Sequence, residues 1–362
     1  MPVMIRLERY DVSADTFILP NNYIMYSQQS AISQPVNKVD KIVLAPMEGV
    51  IDAPMRRLLT GIGGYTRCVT EFVRVTDVLL PEKVFLRFCP ELESGGVTES
   101  GIPVYTQLLG SDAKALALNA VRAAQLGAPG IDLNFGCPAK TVNNSMGGSI
   151  LLRTPSHVAM IVDAVRNAVP SDIPVTAKIR LGYDDSDLLA DIVGGIRDAG
   201  ATELAIHART KFDGYKPPAW WATVSHVVPE NDLTTYINGE IWTVKDSVQA
   251  RGDSGCTHIM LGRGALAAPD LALRIAAASS GKELEAIEWL TVSHLVEAQF
   301  LRSDCLSPRH IGNRTKQWLA YLKRSYDEAQ ELFTRLRTLH DVSAIQTAFA
   351  EHRVWLRDLS AG

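Results

Sequence analysis

The sequence predicts a (β/α)8 TIM barrel followed by a C-terminal all-helical domain. Eight short apolar or β-branched runs recur 23 to 44 residues apart, which is the spacing of βα units. Stretches with helical periodicity, such as residues 112–126 and 156–169, lie between these runs. After about Ser280 the pattern changes, because amphipathic helical stretches follow one another without a strand run between them.

The predicted strands are short and evenly distributed. Parallel strands joined by crossover helices close most economically into a barrel, and a doubly wound open sheet is the alternative. The run before Asn238 is more polar than a barrel strand usually is. The eight runs begin near Ile42, Cys68, Val104, Ile131, Val175, Leu204, Thr235 and His258.

The same pattern divides the chain into three parts. Residues 1–40 show no sustained periodicity and form an N-terminal extension of unknown role. Residues 41–280 form the barrel domain, and residues 281–362 form the helical domain after a linker at 279–282. Within that last part, helices are expected over residues 283–304, 314–339 and 342–359.

Composition excludes several classes of protein. With 46% hydrophobic and 21% charged residues in 362, the chain is typical of globular proteins, and no run suffices for a membrane span. The first forty residues lack the pattern of a targeting peptide, so we expect a cytoplasmic protein. We also expect a monomer, although the sequence carries no signal for the oligomeric state. Five scattered cysteines without CxxC spacing argue against a disulfide framework and a zinc site, and no metal is expected.

Polar or glycine-rich groups follow every predicted strand. In a barrel, these strand ends and their loops form one face, where ligand sites are built. One such residue alone most often has a structural role, and their joint placement is what favours a site. The groups are residues 45–49, 70–72, Gln107, 134–138, 178–180, 207–210, 238–240 and 262–264.

The last two of these loops predict a phosphate site. Backbone N–H groups freed by Gly239, Gly262 and Gly264, with Arg263 as the counter-charge, can cradle a phosphate and so imply a phosphorylated cofactor. Lys178, His207 and Gln107 would point at the same space and could bond the pyrimidine edge of a reduced flavin.

Cys137 lies in the loop after the fourth strand, beside Asn134 on the ligand face. A thiol there could donate a proton to a substrate carbon. The alternative is a small apolar filler, which is the interpretation we adopt for Cys68 and Cys256.

Taken in order, these motifs resemble the tRNA-dihydrouridine synthases. Each is common alone, but the ordered set runs from about residue 41 to 356. Segments 70–75, 107–110 and 315–322 are similar to the branch that modifies uridine 16. The family motifs are Ala45-Pro46-Met47-Glu48-Gly49, Asn134-x-Gly-Cys137-Pro138, Lys178-x-Arg180, His207-x-Arg209-Thr210, Asn238-Gly239-Glu240 and Gly262-Arg263-Gly264.

The resemblance implies reduction of uridine to 5,6-dihydrouridine in the D-loop of tRNA, at position 16. NADPH would reduce bound FMN, the flavin would pass hydride to C6 of the uracil, and Cys137 would protonate C5 as general acid. Asn134 would contact the uracil. The residues implied for FMN are Pro46, Met47, Glu48, Gln107, Lys178, His207, Asn238, Gly239, Glu240, Gly262 and Arg263. Those implied for tRNA are Arg74, Arg180, Tyr215, Arg314, Lys316, Tyr321 and Arg337.

A local basic surface supports a tRNA partner, although the formal net charge of −4 gives no overall attraction to nucleic acid. Between residues 302 and 324 there are six basic residues against one acid, Asp304, a balance of 6 − 1 = +5. The alternative for any one of them is a solvated helix face. The six are Arg302, Arg309, Arg314, Lys316, Lys323 and Arg324.

Three departures from the family pattern stand out. Met146 occupies a place in the loop after Cys137 where glycine is usual, and methionine enters positive φ at a cost. The stretch 217–221 is short, and residues 1–40 have no counterpart. Two other functions stay open: a flavin oxidoreductase of a free pyrimidine-like molecule, and a catalytically inactive tRNA-binding protein.

Overall fold

The computed structural model describes residues 41–228, 233–306 and 310–361; the N-terminal extension, residues 1–40, lies outside this part. The described residues contain nine strands, all paired in parallel. Each predicted strand is present and begins within one residue of its expected start. The strands are β1 (Ile42–Leu44), β2 (Arg67–Val69), β3 (Val73–Arg74), β4 (Val104–Leu109), β5 (Ile131–Phe135), β6 (Val175–Arg180), β7 (Glu203–His207), β8 (Thr234–Asn238) and β9 (His258–Leu261).

The sheet closes on itself, which confirms the barrel and rules out the open sheet. β1 pairs with β9 on one side, Ile42 opposite Ile259, and with β2 on the other. β2 also pairs with β4, with Cys68 opposite Val104, and the two-residue β3 continues that pairing farther along β4. The barrel therefore has eight strand positions, one of them shared by β2 and β3.

β8 is a buried strand in spite of its polar sequence. Its Tyr236 joins the cluster that fills the barrel, together with Val43, Val69 and Met260. Asn238 at its end is satisfied, because its Nδ2 donates to the carbonyl of Met260 at 2.8 Å. The polar side chain of Asn238 is thus accommodated inside the barrel because a backbone acceptor lies in reach.

Helices follow most strands and end in a group of four. The helices are α1 (Ala53–Ile62), α2 (Glu82–Phe88), α3 (Ala113–Gln125), α4 (Lys140–Asn143), α5 (Pro155–Ala168), α6 (Leu189–Asp198), α7 (Trp221–Val224), α8 (Val244–Ser254), α9 (Arg263–Ala267), α10 (Leu271–Ser279), α11 (Trp289–Arg302), α12 (Asn313–Leu322), α13 (Glu328–Leu336) and α14 (Val342–Ala361). Short 3-10 helices span Pro90–Ser94, Gly148–Arg153 and Asp304–Leu306. No helix of the described residues is long and apolar enough to cross a membrane.

Two expected helix bounds in the C-terminal part were wrong. The first helix begins at Trp289 rather than at residue 283, because buried Ile287 is held in the preceding segment by its N–H bond to Asp270, 2.9 Å. The single helix expected over 314–339 is two helices, α12 and α13, with the chain turning between them where the Tyr326 ring packs 5.5 Å from that of Trp289.

The four final helices pack on the barrel through α12. Trp318 is buried, and its indole Nε1 donates to the carbonyl oxygen of Leu266 in α9 at 3.0 Å. Because α9 directly follows β9, this contact brings α12 to the carboxyl ends of the strands. A domain boundary near residue 280 remains a prediction.

Candidate functional site

A cavity of about 660 Å³ opens at the carboxyl ends of the strands. This volume lies within the range of small-molecule and cofactor sites. The structure brings together on its walls the predicted residues Pro46, Met47, Glu48, Gln107, Asn134, Cys137, Lys178, Arg180, His207, Tyr215, Asn238, Gly239, Glu240, Gly262, Arg263 and Tyr321. It places Arg74, Arg314, Lys316 and Arg337 outside this lining.

A buried hydrogen-bonded chain forms one wall of the cavity. Asp132 in β5 accepts from Thr176 and from Gln107 Nε2, the latter at 2.7 Å. Gln107 Oε1 in turn accepts from Asn134 Nδ2 at 2.8 Å, and Asn134 Oδ1 accepts from the N–H of Cys137 at 2.9 Å. The chain fixes both side-chain amides, so their orientation is set before a ligand binds.

The backbone at Cys137 is held from both sides. Its carbonyl oxygen accepts from Asn143 Nδ2 at 3.0 Å and from the N–H of Ser149 at 3.1 Å. Burial raises the pKa of the Cys137 thiol, and the N–H of Ala139 and the charge of Arg180 oppose this only in part. The thiol is therefore protonated at neutral pH, which is the state that a general acid requires.

Met146 adopts a left-handed backbone conformation, as expected from its position in the loop, where the family pattern usually has glycine. Its φ is +57°, and its side chain is exposed. Such a conformation costs a residue with a side chain about 1–2 kcal/mol. The loop that follows Cys137 therefore carries local backbone strain at an exposed position.

We expect Met146→Gly to raise the free energy of unfolding by about 0.5–1 kcal/mol, since relief of the strain exceeds the added entropy of the unfolded chain. Urea unfolding measures it. Met160→Gly is the matched control, because Met160 is an exposed methionine inside α5 and glycine there costs about 1 kcal/mol. A stability loss of equal size in both variants would contradict the expectation.

Lys178 and His207 face the cavity from neighbouring strands. Burial lowers the pKa of Lys178 to about 8, and its Nζ donates to Asn238 Oδ1 at 3.1 Å. The pKa of His207 lies well below its ordinary value, first because of burial and then because of nearby cations that include Arg180 and Lys178. Arg209 Nη1 lies 3.2 Å from His207 Nε2, and because arginine only donates, this contact assigns the proton of neutral His207 to Nδ1.

Glycines shape the loops after β8 and β9. Gly239 has φ +112°, and a Cβ there would lie 2.8 Å from His207 Cδ2. A Cβ at Gly264 would lie 2.1 Å from the carbonyl oxygen of Ile241, so the two loops touch. Arg263 begins α9, whose first N–H groups have no acceptor inside the helix. This cradle fits the phosphate predicted from the sequence.

Glu240 organises the side chains above that cradle. Its carboxylate accepts from the buried Arg209, from Arg263 at 3.4 Å and from Trp242 Nε1 at 2.9 Å. These donors lower the pKa of Glu240 against the effect of its partial burial. Its own φ is +57°, a strained backbone conformation of the kind that collects at ligand sites.

Arg180 is buried and joins two loops. Its Nε donates to the carbonyl of Gly136 at 2.8 Å, and its Nη1 donates to the carbonyls of Thr210 at 2.9 Å and Gly214 at 2.8 Å. The residue after Gly214, Tyr215, is exposed, and its ring lies 5.1 Å from the Arg180 guanidinium. The geometry gives Arg180 a positioning role beneath the loops that carry Cys137 and Tyr215.

The four predicted residues outside the lining lie around the same end of the barrel or on the helices. Arg74 donates to Ser145 at 2.6 Å, in the loop after Cys137. Arg314 lies 3.7 Å from Asp52, and Lys316 donates to the carbonyl of Leu339. Arg337 is exposed at the end of α13.

Several residues of the site were missed in the sequence. Asp132 is a carboxylate inside an apolar strand, two residues from Asn134, and this alternation was a usable signal that both point inward. Arg209 lies in a recognised motif, but its bonds to His207 and Glu240 depend on the meeting of two loops. Asn143, Ser149 and Trp242 gave no signal, since their roles depend on tertiary contacts.

Comparisons with known proteins agree with this geometry. The family model described as dihydrouridine synthase (Dus) matches residues 43–350. The tRNA-dihydrouridine(16) synthase of Pseudomonas putida is 49% identical over 306 residues, which are 84% of this chain and 95% of that protein. That of Shewanella oneidensis is 49% identical over 297 residues, 82% of this chain and 93% of that protein. That of Neisseria meningitidis serogroup A is 42% identical over 328 residues, 89% and 98% of the two chains. With a site of this chemistry and relatives this similar over most of its length, the chain belongs to the dihydrouridine synthase family.

Proposed function

We propose that the protein reduces uridine to 5,6-dihydrouridine in tRNA, at position 16 of the D-loop. The observation that carries the proposal is the thiol of Cys137, whose pKa is raised by burial, on the wall of a cavity that Gly239, Gly262 and Arg263 also line. The names of the relatives from Pseudomonas putida and Shewanella oneidensis support the position within tRNA.

FMN is the proposed cofactor, and NADPH the proposed reductant. The cavity is of suitable size, and Gly239, Gly262 and Arg263 surround a place for the phosphate. Gln107 and Lys178 present an amide and an ammonium group to the same space for the polar edge of the ring system. Once reduced, a flavin supplies hydride to an electron-poor carbon such as C6 of a uracil.

The residues of this chain would hold the base and complete the reduction. Asn134 is oriented by Gln107 and can bond the polar edge of the uracil. Cys137 gives its proton to C5 as C6 receives hydride, so that the C5–C6 double bond becomes a single bond and a thiolate is left. The positive charge of Arg180 favours that thiolate, which water reprotonates. The uridine must leave its stack to reach this depth.

The helical domain proposed for residues 281–362 would bind tRNA through its basic residues. Of the six basic residues counted in the sequence, Arg309 lies outside the described residues. Arg302 pairs with Glu99 at 2.9 Å, and Lys323 lies 4.5 Å over the Phe333 ring. Cytoplasmic location, the monomeric state and the individual tRNA contacts stay predictions.

The test is nucleoside mass spectrometry with site mapping on tRNA from cells with and without this protein. The expected result is loss of dihydrouridine at position 16 alone, restored by the wild-type gene. Loss at a different position would contradict the assignment to position 16. No loss at any position would overturn the proposal and favour a small-molecule oxidoreductase or an inactive tRNA-binding protein, which a flavin spectrum and an RNA-binding assay would separate.

Flavin affinity is expected to fall as pH rises through about 8. The pKa of Lys178 is lowered to about 8, so its ammonium donor is present below that pH and lost above it. Affinity measured by quenching of FMN fluorescence should fall by up to about tenfold per pH unit above 8. Lys178→Met should bind more weakly at pH 7 and lack this slope, and exposed Lys140→Met should behave as wild type.

Stability of the flavin-free protein should change in the opposite direction. Because the pKa of Lys178 is lower in the folded protein than its ordinary value of 10.5, the folded state binds the proton less well than the unfolded state. This group therefore adds stability as pH rises from about 8 to about 10.5.

Flavin affinity that stays constant between pH 7 and 9.5 would show that Lys178 does not act as an ammonium donor.

A further inference from the structure

Trp242 is held rigidly at the mouth of the cavity. It precedes Thr243, the N-cap of α8, and its backbone N–H donates to Asp246 at 2.9 Å. Its indole Nε1 donates to Glu240 at 2.9 Å. These bonds fix the orientation of both its backbone and its ring. The indole can therefore serve as a platform on which other groups stack.

Two guanidinium groups lie over this ring. That of Arg324, just beyond the end of α12, is 3.9 Å from the ring centroid, and that of Arg263 is 5.2 Å from it. Arg263 also lies 5.5 Å over the ring of Tyr215, so cations and aromatic rings alternate from the cavity wall to the surface. A guanidinium stacked on a ring keeps its N–H groups directed outward in its own plane.

The charge of Arg324 is available to an outside anion. Arg263 shares the carboxylate of Glu240, and Arg314 is near Asp52. Arg324 is exposed, and among the described residues no carboxylate lies within ion-pair distance of it. Among the described residues, the platform thus presents an exposed cation that has no carboxylate partner and can bind an anion from outside.

We propose that Arg324, supported by Trp242, binds the RNA phosphodiester next to the uridine that enters the cavity. Tyr321 lies one turn earlier on the same helix end and lines the cavity, whereas Arg324 lies outside it. One helical turn is about 5 Å, so the cavity and the cation are as close as a base and its neighbouring phosphate. The inference rests on the proposed function in that the cavity must admit a base of RNA.

Arg324→Ala tests the site through RNA binding. With flavin-saturated protein and unmodified tRNA transcript, the dissociation constant should rise roughly three- to tenfold, and the slope of its logarithm against log salt should decrease by about 0.9. Arg197→Ala is the matched control, because Arg197 is an exposed arginine at the C-terminal end of α6, which faces away from the cavity, and it pairs with Asp198. This control should leave both quantities unchanged.

A second variant tests the role of the indole. In a Trp242→Leu background, Arg324→Ala should have a smaller effect on the dissociation constant than in the wild type, because the guanidinium is no longer held in place. An equal effect in both backgrounds would overturn the role of Trp242. Three outcomes for Arg324→Ala would each overturn the RNA site. The first is an unchanged salt slope, and the second is a loss of flavin. The third is a rise in KM for NADPH but not for NADH, which would assign Arg324 to the 2′-phosphate of NADPH.

These outcomes are separable from failure of the proposed function. Wild-type protein that makes no dihydrouridine but binds tRNA with an Arg324-dependent salt slope would refute the reaction and leave the phosphate site intact. Wild-type activity with an Arg324-independent slope would refute the phosphate site alone.

Discussion

Cys137→Ala is expected to lower the rate of dihydrouridine formation by about 10²- to 10⁴-fold, which is the usual contribution of a positioned general acid. Burial raises the pKa of the wild-type Cys137 thiol, which therefore holds its proton at neutral pH, whereas alanine has no proton to give. The backbone of residue 137 donates its N–H to Asn134 Oδ1 and accepts at its carbonyl from the N–H of Ser149, and neither bond involves the thiol, so the loop should keep its shape.

The measurement is single-turnover reduction of tRNA by enzyme whose flavin has been reduced beforehand. Flavin content and NADPH oxidation without tRNA show whether the cofactor half of the reaction survives. Cys305→Ala is the matched control, because Cys305 lies outside the cavity in a short 3-10 helix. Product formed at the wild-type rate by Cys137→Ala would exclude Cys137 as the proton donor.

Arg180→Met is expected to reduce the free energy of unfolding by about 3 kcal/mol or more, because three backbone carbonyls lose a charged donor. The guanidinium donates to the carbonyl of Gly136, next to Cys137, and to the carbonyls of Thr210 and Gly214, in the loop before Tyr215. Activity should fall mainly in kcat, since the proton donor is displaced relative to the bound base. Urea unfolding and steady-state kinetics with tRNA measure the two effects.

Arg180→Lys keeps a positively charged donor group and provides a folded variant if Arg180→Met is too unstable. Arg74→Ala supplies the contrast, because Arg74 is exposed and the loss of a phosphate contact there would raise KM for tRNA and weaken its salt dependence. If Arg180→Lys changed the salt dependence of KM and left kcat intact, Arg180 would be an RNA contact and not a positioning residue.

The barrel was predictable because its signal is local. Strands such as β5 and β7 are short, apolar and separated by helical stretches, and closure followed from their number. The bounds of the last helices depend on distant partners, such as Asp270 for Ile287 and Trp289 for Tyr326. Such contacts leave no periodic trace in the sequence, so α12 and α13 could not be separated.

The features of the site also divide into those that follow from local sequence and those that depend on tertiary contacts. Residues at strand ends, such as Lys178 and His207, could be assigned to one face because the topology requires it. What they do to one another could not be deduced, because the cations near His207 and the three donors on Glu240 come from separate parts of the chain: strand β6, the loops after β7 and β8, and the start of α9. The family resemblance implied that Arg180 contacts tRNA. Its burial depends on how the loops pack around it, which the sequence does not reveal.

The bond from Trp318 to Leu266 limits how this enzyme can be recombined. Leu266 belongs to the same five-residue helix as Arg263, so the indole of α12 is tied to the segment that shapes the proposed phosphate site. A chimera that exchanges the helices after residue 280 between family members would replace the partner of that carbonyl. Engineers who seek a different target uridine should therefore transplant α9 together with α12, or keep a tryptophan at position 318.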